Sequence, residues 1–183
     1  AGVVNGSSFL DIPDEQIQKS FEVNTHALFW MLKAFLPEMI ERNRGHIVTV
    51  ASAAGLIGVP RLTDYCASKW AAVGLDESLR VELKKRAPGI VTTVVCPYYI
   101  DTGMFEGVKT RFSLILPILK EEQVGKKVLK AIEKNRPRVL IPSIVYLISL
   151  LRLLPVAWFD GLARFLGISA SMDECVGRKQ QGP

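Results

Sequence analysis

The chain has 183 residues, 49% of them hydrophobic, and a formal net charge of +5. That length suits one domain of ordinary size, and the hydrophobic share is at the upper end for a soluble one. The charge is modest and scattered. Lys84-Lys85-Arg86 and Lys126-Lys127 fall on helical stretches, as solvated faces or as partners for anionic lipid headgroups. There is no zinc-ligand spacing and no interleaving of basic with aromatic residues, so nucleic acid is not an expected partner. Cys66, Cys96 and Cys175 lack metal-ligand spacing and the two histidines stand far apart, so no metal site is expected. Reduced, structural thiols in a cytosol-facing domain are the natural reading. No charged n-region precedes an apolar h-region, so no signal peptide is expected.

Residues 1–10, rich in Gly, Ser and Asn, read as a loop. Pro13 suits a first helical position, with Asp14 and Glu15 complementing the helix dipole. Ile17, Phe21, Leu28, Leu32, Phe35 and Met39 then recur at helical spacing. Asn24 falls on that stripe, where a buried amide needs partners. It serves either a structural helix-to-loop hydrogen bond or a site. Pro37 is expected to kink the last turns, and Gly45 to take the left-handed cap.

Residues 46–51 form an apolar run, expected to be a buried parallel strand that ends at Ser52. The following loop, 53–62, is unusually apolar at Leu56, Ile57 and Val59, which line a greasy pocket or pack beneath the loop. Thr63 or Asp64 is expected to cap a helix reaching about Arg86 and burying Trp70, Val73, Leu75, Leu79 and Leu83. The β-branched run 90–96 reads as the next parallel strand. Strands joined by a long helix imply βαβ units with right-handed crossovers.

Residues 103–118 carry many apolar side chains in an expected flexible loop, suggesting a lid over a lipophilic substrate or a surface dipping into lipid. An amphipathic helix, 121–134, and a last strand, 139–141, follow. The tail from Ser143 to Leu154 is an apolar run expected to be helical, bracketed by Pro142 and Pro155. Twelve helical residues reach about 18 Å, short of the ~30 Å hydrocarbon core, and Arg152 also argues against spanning. An interfacial helix is expected, continued by Val156 to Phe159 and by Leu162, Phe165 and Leu166, with Trp158 at headgroup level. A dimer-interface or pocket-covering helix is the alternative. Residues 173–183 read as a polar, frayed end. The chain thus divides into 1–142 and a hydrophobic, membrane-associating tail, 143–183.

The chemistry concentrates between Ser52 and Lys69. Tyr65 and Lys69 are four apart and share a helix face. An ammonium beside a phenol favours the phenolate and would bring Tyr65 down from its usual value near ~10, into use as a proton carrier. Ser52 stands at the carboxyl end of a strand, where sites of open α/β sheets lie. Its hydroxyl is free to bond a substrate oxygen.

Ser52, Tyr65 and Lys69, together with Asn24 in Val23-Asn24-Thr25, resemble the catalytic residues of the short-chain dehydrogenase/reductase family. The resemblance implies an α/β fold, a doubly wound, Rossmann-like parallel sheet, and hydride transfer between an alcohol and NAD or NADP. Ser52 would hold the substrate oxygen and Tyr65 would move the proton. Lys69 would lower the Tyr65 pKa and bind the nicotinamide ribose, and Asn24 would hold a relay water. Gly2 resembles the end of the family's Asn-Asn-Ala-Gly motif. Pro97, Ile100 and Thr102 match residues beside the nicotinamide, although Tyr98 replaces the family's glycine. The family's glycine-rich pyrophosphate turn is not found, so the chain is expected to be a C-terminal piece, about two-thirds of the fold, inactive by itself. Gly103-Met104-Phe105, the apolar loop and the tail are most similar to the membrane-associated retinol and 17β-hydroxysteroid dehydrogenase branch. That implies a lipophilic alcohol, all-trans-retinol or a hydroxysteroid, and a place at the endoplasmic reticulum membrane or lipid droplet surface. It also implies a homodimer through the helices at 13–42 and 63–86. A non-catalytic lipid-surface binding protein is the reading from another class.

Overall fold

The β-branched runs become the strands. A computed structural model describes residues 2–173 and 175. Strands β1 (Gly45–Val50), β2 (Ile90–Pro97) and β3 (Arg138–Ile141) form a parallel sheet in that order. Val50 pairs with Val95, and Val95 with Val139. Alternate side chains point to opposite faces. Val94, Cys96 and Leu140 pack with Ala72 and Val73 of α3 (Thr63–Arg86). Val95 and Ile141 pack with Val124 of α4 (Glu121–Glu133). Helices therefore cover both faces of the sheet in a Rossmann-like arrangement. The strands are added in one direction while their connecting helices lie on opposite faces, so the two crossovers cannot share a hand. The expected βαβ unit runs through β1, α3 and β2. The long excursion from 98 to 120 separates β2 from α4 and gives the chain the length to reach the other face.

The first helical stretch is not one regular helix. α1 (Asp14–Phe21) and α2 (Ala27–Glu41) are joined by a π segment, Glu22–His26. Pro13 holds the N-cap position rather than the first helical one. Asn43, not Gly45, takes the left-handed conformation, at φ 45°. An asparagine tolerates it, and its side chain accepts a bond from Gly89 N at 2.9 Å. Gly45 instead opens β1. Phe35 is exposed on α2, contrary to the periodic stripe. On α3, Leu62 holds the cap position. Asp64 is buried and accepts bonds from Ser20 Oγ and Asn5 Nδ2, because a carboxylate there ties the N-terminal loop to two helices. Trp70, expected in the core, is 39% exposed.

The tail differs from the single helix expected over 143–154. A 3-10 turn, Ser143–Val145, runs into α5 (Tyr146–Leu151), and α6 (Val156–Phe165) starts after Pro155. Proline disfavours helical backbone in the residue before it, so the run breaks at Leu154. Among the described residues no helix is long and apolar enough to cross a membrane.

A 3-10 turn, Ala53–Gly55, leaves β1 and lies directly on α3. A Cβ on Gly55 would sit 2.6 Å from the Lys69 carbonyl oxygen and 3.0 Å from Val73 Cγ2. Gly55→Ala should therefore cost about 1–3 kcal/mol through overpacking. Urea denaturation measures it, and an unchanged midpoint would show that the two backbones are not in forced contact.

Candidate active site

The 3-10 turn sets one wall and α3 the other. Ser52 follows β1 in extended conformation, and its Oγ accepts a bond from Ala54 N at 3.1 Å. Its hydroxyl also bonds the Tyr65 phenol. Tyr65 and Lys69 lie one turn apart near the start of α3, each only 5% exposed. Lys69 Nζ lies 5.7 Å from the Tyr65 ring centroid and donates to the Val50 carbonyl at 3.3 Å. Tyr65 and Lys69 share a face as their spacing predicts, and Ser52 lies beside Tyr65.

Asn24 joins them from the π segment, a distortion frequent at functional sites. Its Nδ2 donates to Val3 O at 2.9 Å and to Ser68 Oγ at 3.1 Å, and its Oδ1 accepts from Val3 N at 2.9 Å. The amide thus serves a helix-to-loop bond. Ser68 was not singled out in the sequence. It donates to the Tyr65 carbonyl at 2.8 Å, while Thr25 Oγ1 donates to the Ser68 carbonyl. Its place directly before Lys69 was the available signal. Gly2 completes the corner. A Cβ there would lie 3.5 Å from Asn24 Oδ1, 3.8 Å from Met104 Cε and 4.0 Å from Lys69 Nζ.

The electrostatics differ from the sequence expectation. Burial pushes the Tyr65 phenol up to about 12, and the bond from Ser52 offsets only part of that. Burial also lowers the Lys69 pKa. Both ions are penalised by the same dry surroundings, so the ammonium does not bring the phenol down in this state. Burial likewise raises Tyr98 to about 12, Cys96 to about 12, and Tyr99 further. All three cysteines are free thiols.

Beyond Ser52 and Tyr65 opens a cavity of about 300 Å³. Its walls are apolar: Ile57, Val59 and Leu62 from the loop, Phe105, Ile115 and Leu116 from the 103–118 excursion, and Leu147, Ile148, Leu151, Leu162 and Leu166 from the tail. Tyr98 and Tyr99 line it as well, their ring centroids 4.6 Å apart. The tail was expected chiefly as an interfacial element, with a pocket-covering helix as the alternative; in the structure it is a wall of this cavity. Pro97 ends β2, and Ile100 sits in a bridge with Leu119. Thr102 is exposed, with its N–H bonded to the Ile100 carbonyl at 2.9 Å. These three are not gathered with Ser52, Tyr65 and Lys69 around the cavity.

The sequence profile of the short chain dehydrogenase family matches residues 1–111. The chain belongs to the short-chain dehydrogenase family. It is 46% identical over 183 residues to epidermal retinol dehydrogenase 2 of Mus musculus, covering 99% of this chain and 59% of that one. It is 44% identical over 185 residues to retinol dehydrogenase 10 of Homo sapiens, covering 99% of this chain and 54% of that one. Among solved structures, a short chain dehydrogenase from Burkholderia cenocepacia J2315, in complex with NADP, superposes with a TM-score of 0.73 at 26% identity. That match covers 91% of this chain and 67% of the other. The chain therefore spans less than two-thirds of the curated relatives' length.

The buried phenol of this short-chain dehydrogenase gives a pH signature. Its folded pKa of about 12 exceeds the unfolded value of 10.0, so the folded state holds the proton more tightly. The resulting stability is complete below the unfolded value and is lost as pH rises through the folded one. Tyr65→Phe should flatten the loss of urea midpoint above pH ~10, where the unfolded phenol begins to ionise. Identical alkaline profiles for the two proteins would remove Tyr65 from that titration.

Proposed function

We propose that this chain is the catalytic part of an NAD(P)-dependent alcohol dehydrogenase acting on a lipophilic alcohol. The observation that carries the reading is the pair of hydroxyls, Ser52 and Tyr65, at the polar end of an otherwise apolar cavity, with Lys69 beside them. Such a pocket buries a hydrocarbon body and orients a single polar end. All-trans-retinol is the favoured substrate, supported by the two retinol dehydrogenases the chain resembles. A hydroxysteroid or other lipid alcohol is the nearest competitor. A non-catalytic lipid-surface binding protein would keep the cavity but leave the buried Tyr65 and Lys69 without a task.

The residues present fit the nicotinamide end of a dinucleotide. Lys69 spends one donor on the Val50 carbonyl, and an ammonium has three. The remaining donors and the bare backbone at Gly2 suit a ribose. Pro97, Ile100 and Thr102 are assigned to the nicotinamide side by family resemblance. When bound, NAD or NADP supplies the hydride acceptor or donor.

Ser52 would hold the substrate oxygen. In the reducing direction the neutral Tyr65 phenol delivers its proton to the carbonyl oxygen. In the oxidising direction the phenolate takes the alcohol proton, and the Lys69 ammonium stabilises that phenolate. Asn24 spends its amide on Val3 and Ser68. Asn24 Oδ1 accepts one bond, from Val3 N, and its second lone pair would hold the water that relays protons from Lys69.

Tail and excursion support a lipid surface as the working site, at the endoplasmic reticulum or a lipid droplet. Leu114 is 98% exposed, Leu153 80%, Val156 76% and Trp158 71%, all large and apolar. Phe29, Trp30, Met31 and Phe35 are exposed on α2 and would meet a second copy in a homodimer.

Tyr65→Phe in the full-length enzyme should cut retinol oxidation by about 10²–10⁴ with the melting temperature retained. Turnover of NAD(P)H followed at 340 nm measures it, and undiminished turnover would exclude Tyr65 as the proton carrier. Replacing Leu150, Leu153 and Trp158 by Ser should move the protein from the membrane pellet to the supernatant. These side chains are largely exposed and do not line the cavity. Unchanged sedimentation would place the anchor elsewhere.

A further inference from the structure

The tail wall has a specific problem of attachment. Val145 and Ile168 are buried at its two ends, yet no residue of α5 or α6 between them is buried. Apolar contact in the middle of the wall is only partial: Ile148, Phe159, Ala163 and Leu166 pack half-buried against the cores beneath. A polar clasp stands there as well. Arg152, in the turn between α5 and α6, donates from its guanidinium to the Leu56 carbonyl at 2.9 Å. The same guanidinium carbon lies 4.5 Å from the Trp70 ring centroid and 5.9 Å from that of Phe159. Trp70 directly follows Lys69 on α3, and Leu56 follows the 3-10 turn that Ser52 caps.

We propose that Arg152 is a specificity-determining positioning residue: its clasp on Leu56 and Trp70 holds the α5–α6 wall over the cavity so that long apolar alcohols present their hydroxyl to Ser52 and Tyr65. The chemistry suits arginine. Its planar cation stacks on an indole while its N–H groups bond a carbonyl, which a lysine ammonium does not reproduce. The Leu56 carbonyl needs a partner because the apolar loop around it offers none of its own. Arg152 does not touch the reacting atoms. A short alcohol, held only by Ser52, Tyr65 and the nearest walls, gains nothing from the tail. A long one reaches Leu147, Ile148 and Leu151, whose positions depend on the clasp. This explains the one charge in an otherwise apolar run, which a lipid-facing helix alone would not require.

The inference rests on the alcohol-oxidising reading, so the test separates the two. In the full-length protein, Arg152→Ala and Arg152→Lys are compared with wild type on a series of primary alcohols from butanol to retinol. For long alcohols KM should rise about three- to tenfold in both variants, a fraction of the loss of one cation–π contact and one charge-assisted hydrogen bond, because only part of that loss is felt by the substrate. The kcat, and the KM for butanol, should stay within twofold. Trp70→Leu, which removes the stacking platform, should reproduce the pattern. A proportional rise for short and long alcohols, a loss confined to kcat, or full rescue by lysine would overturn the clasp. Amide exchange over residues 146–166 is read on the same proteins without turnover. Faster exchange in Arg152→Ala is expected, and unchanged exchange overturns the proposal. Should wild type oxidise no alcohol with either dinucleotide, the enzymatic reading fails. The exchange measurement and the affinity for a fluorescent polyene alcohol then decide the clasp on their own.

Discussion

The site depends on how closely the turn after β1 can approach α3. Gly55 lies on the Lys69 carbonyl with no room for a side chain. That approach brings Ser52, at the end of a strand, opposite Tyr65, at the start of a helix. A wider gap would leave the two hydroxyls unable to share a hydrogen bond. The same turn carries Leu56, Ile57 and Val59 outward, so one backbone contact sets both the polar end of the cavity and its first apolar wall.

Dryness is the second constraint, and it acts against charge. Tyr65 and Lys69 are adjacent, yet burial raises one pKa and lowers the other. Desolvation outweighs mutual attraction when each ion loses more hydration than its neighbour returns. The resting pair therefore favours the neutral phenol, poised to donate, and phenolate formation needs further stabilisation. Asn24, Ser68 and Thr25 answer a different need. Their bonds tie the π segment to the first turns of α3, which carry the reactive side chains, without placing another charge nearby.

The tail takes the pocket-covering place that the sequence presented as an alternative to an interfacial one. Leu147, Ile148 and Leu151 face the cavity, while Leu150, Leu153 and Leu154 remain exposed on the same short stretch. A helix apolar all round has two faces to satisfy, and here the inner one is satisfied by the cavity. The outer one is left for a partner, which under the proposed function is lipid.

Local pattern determined much of this protein. Apolar and β-branched runs located the three strands, and the spacing of Ser52, Tyr65 and Lys69 located the reactive group, because strand ends and helix faces place residues by counting. Counting fails where distant segments decide. Asn43 took the left-handed turn since its side chain could also hold Gly89, forty-six residues away. Asp64 left the cap for a buried bond with Ser20 and Asn5. Trp70 stayed out of the core because Arg152, from the far tail, stacks on it. Helix placement on both faces of the sheet, and hence the mixed handedness of the crossovers, followed from the long 98–120 excursion rather than from any local signal. The Tyr65 pKa went the opposite way from the pairwise argument. Sequence reveals which charges are neighbours, but only the packed structure decides how much water each has lost.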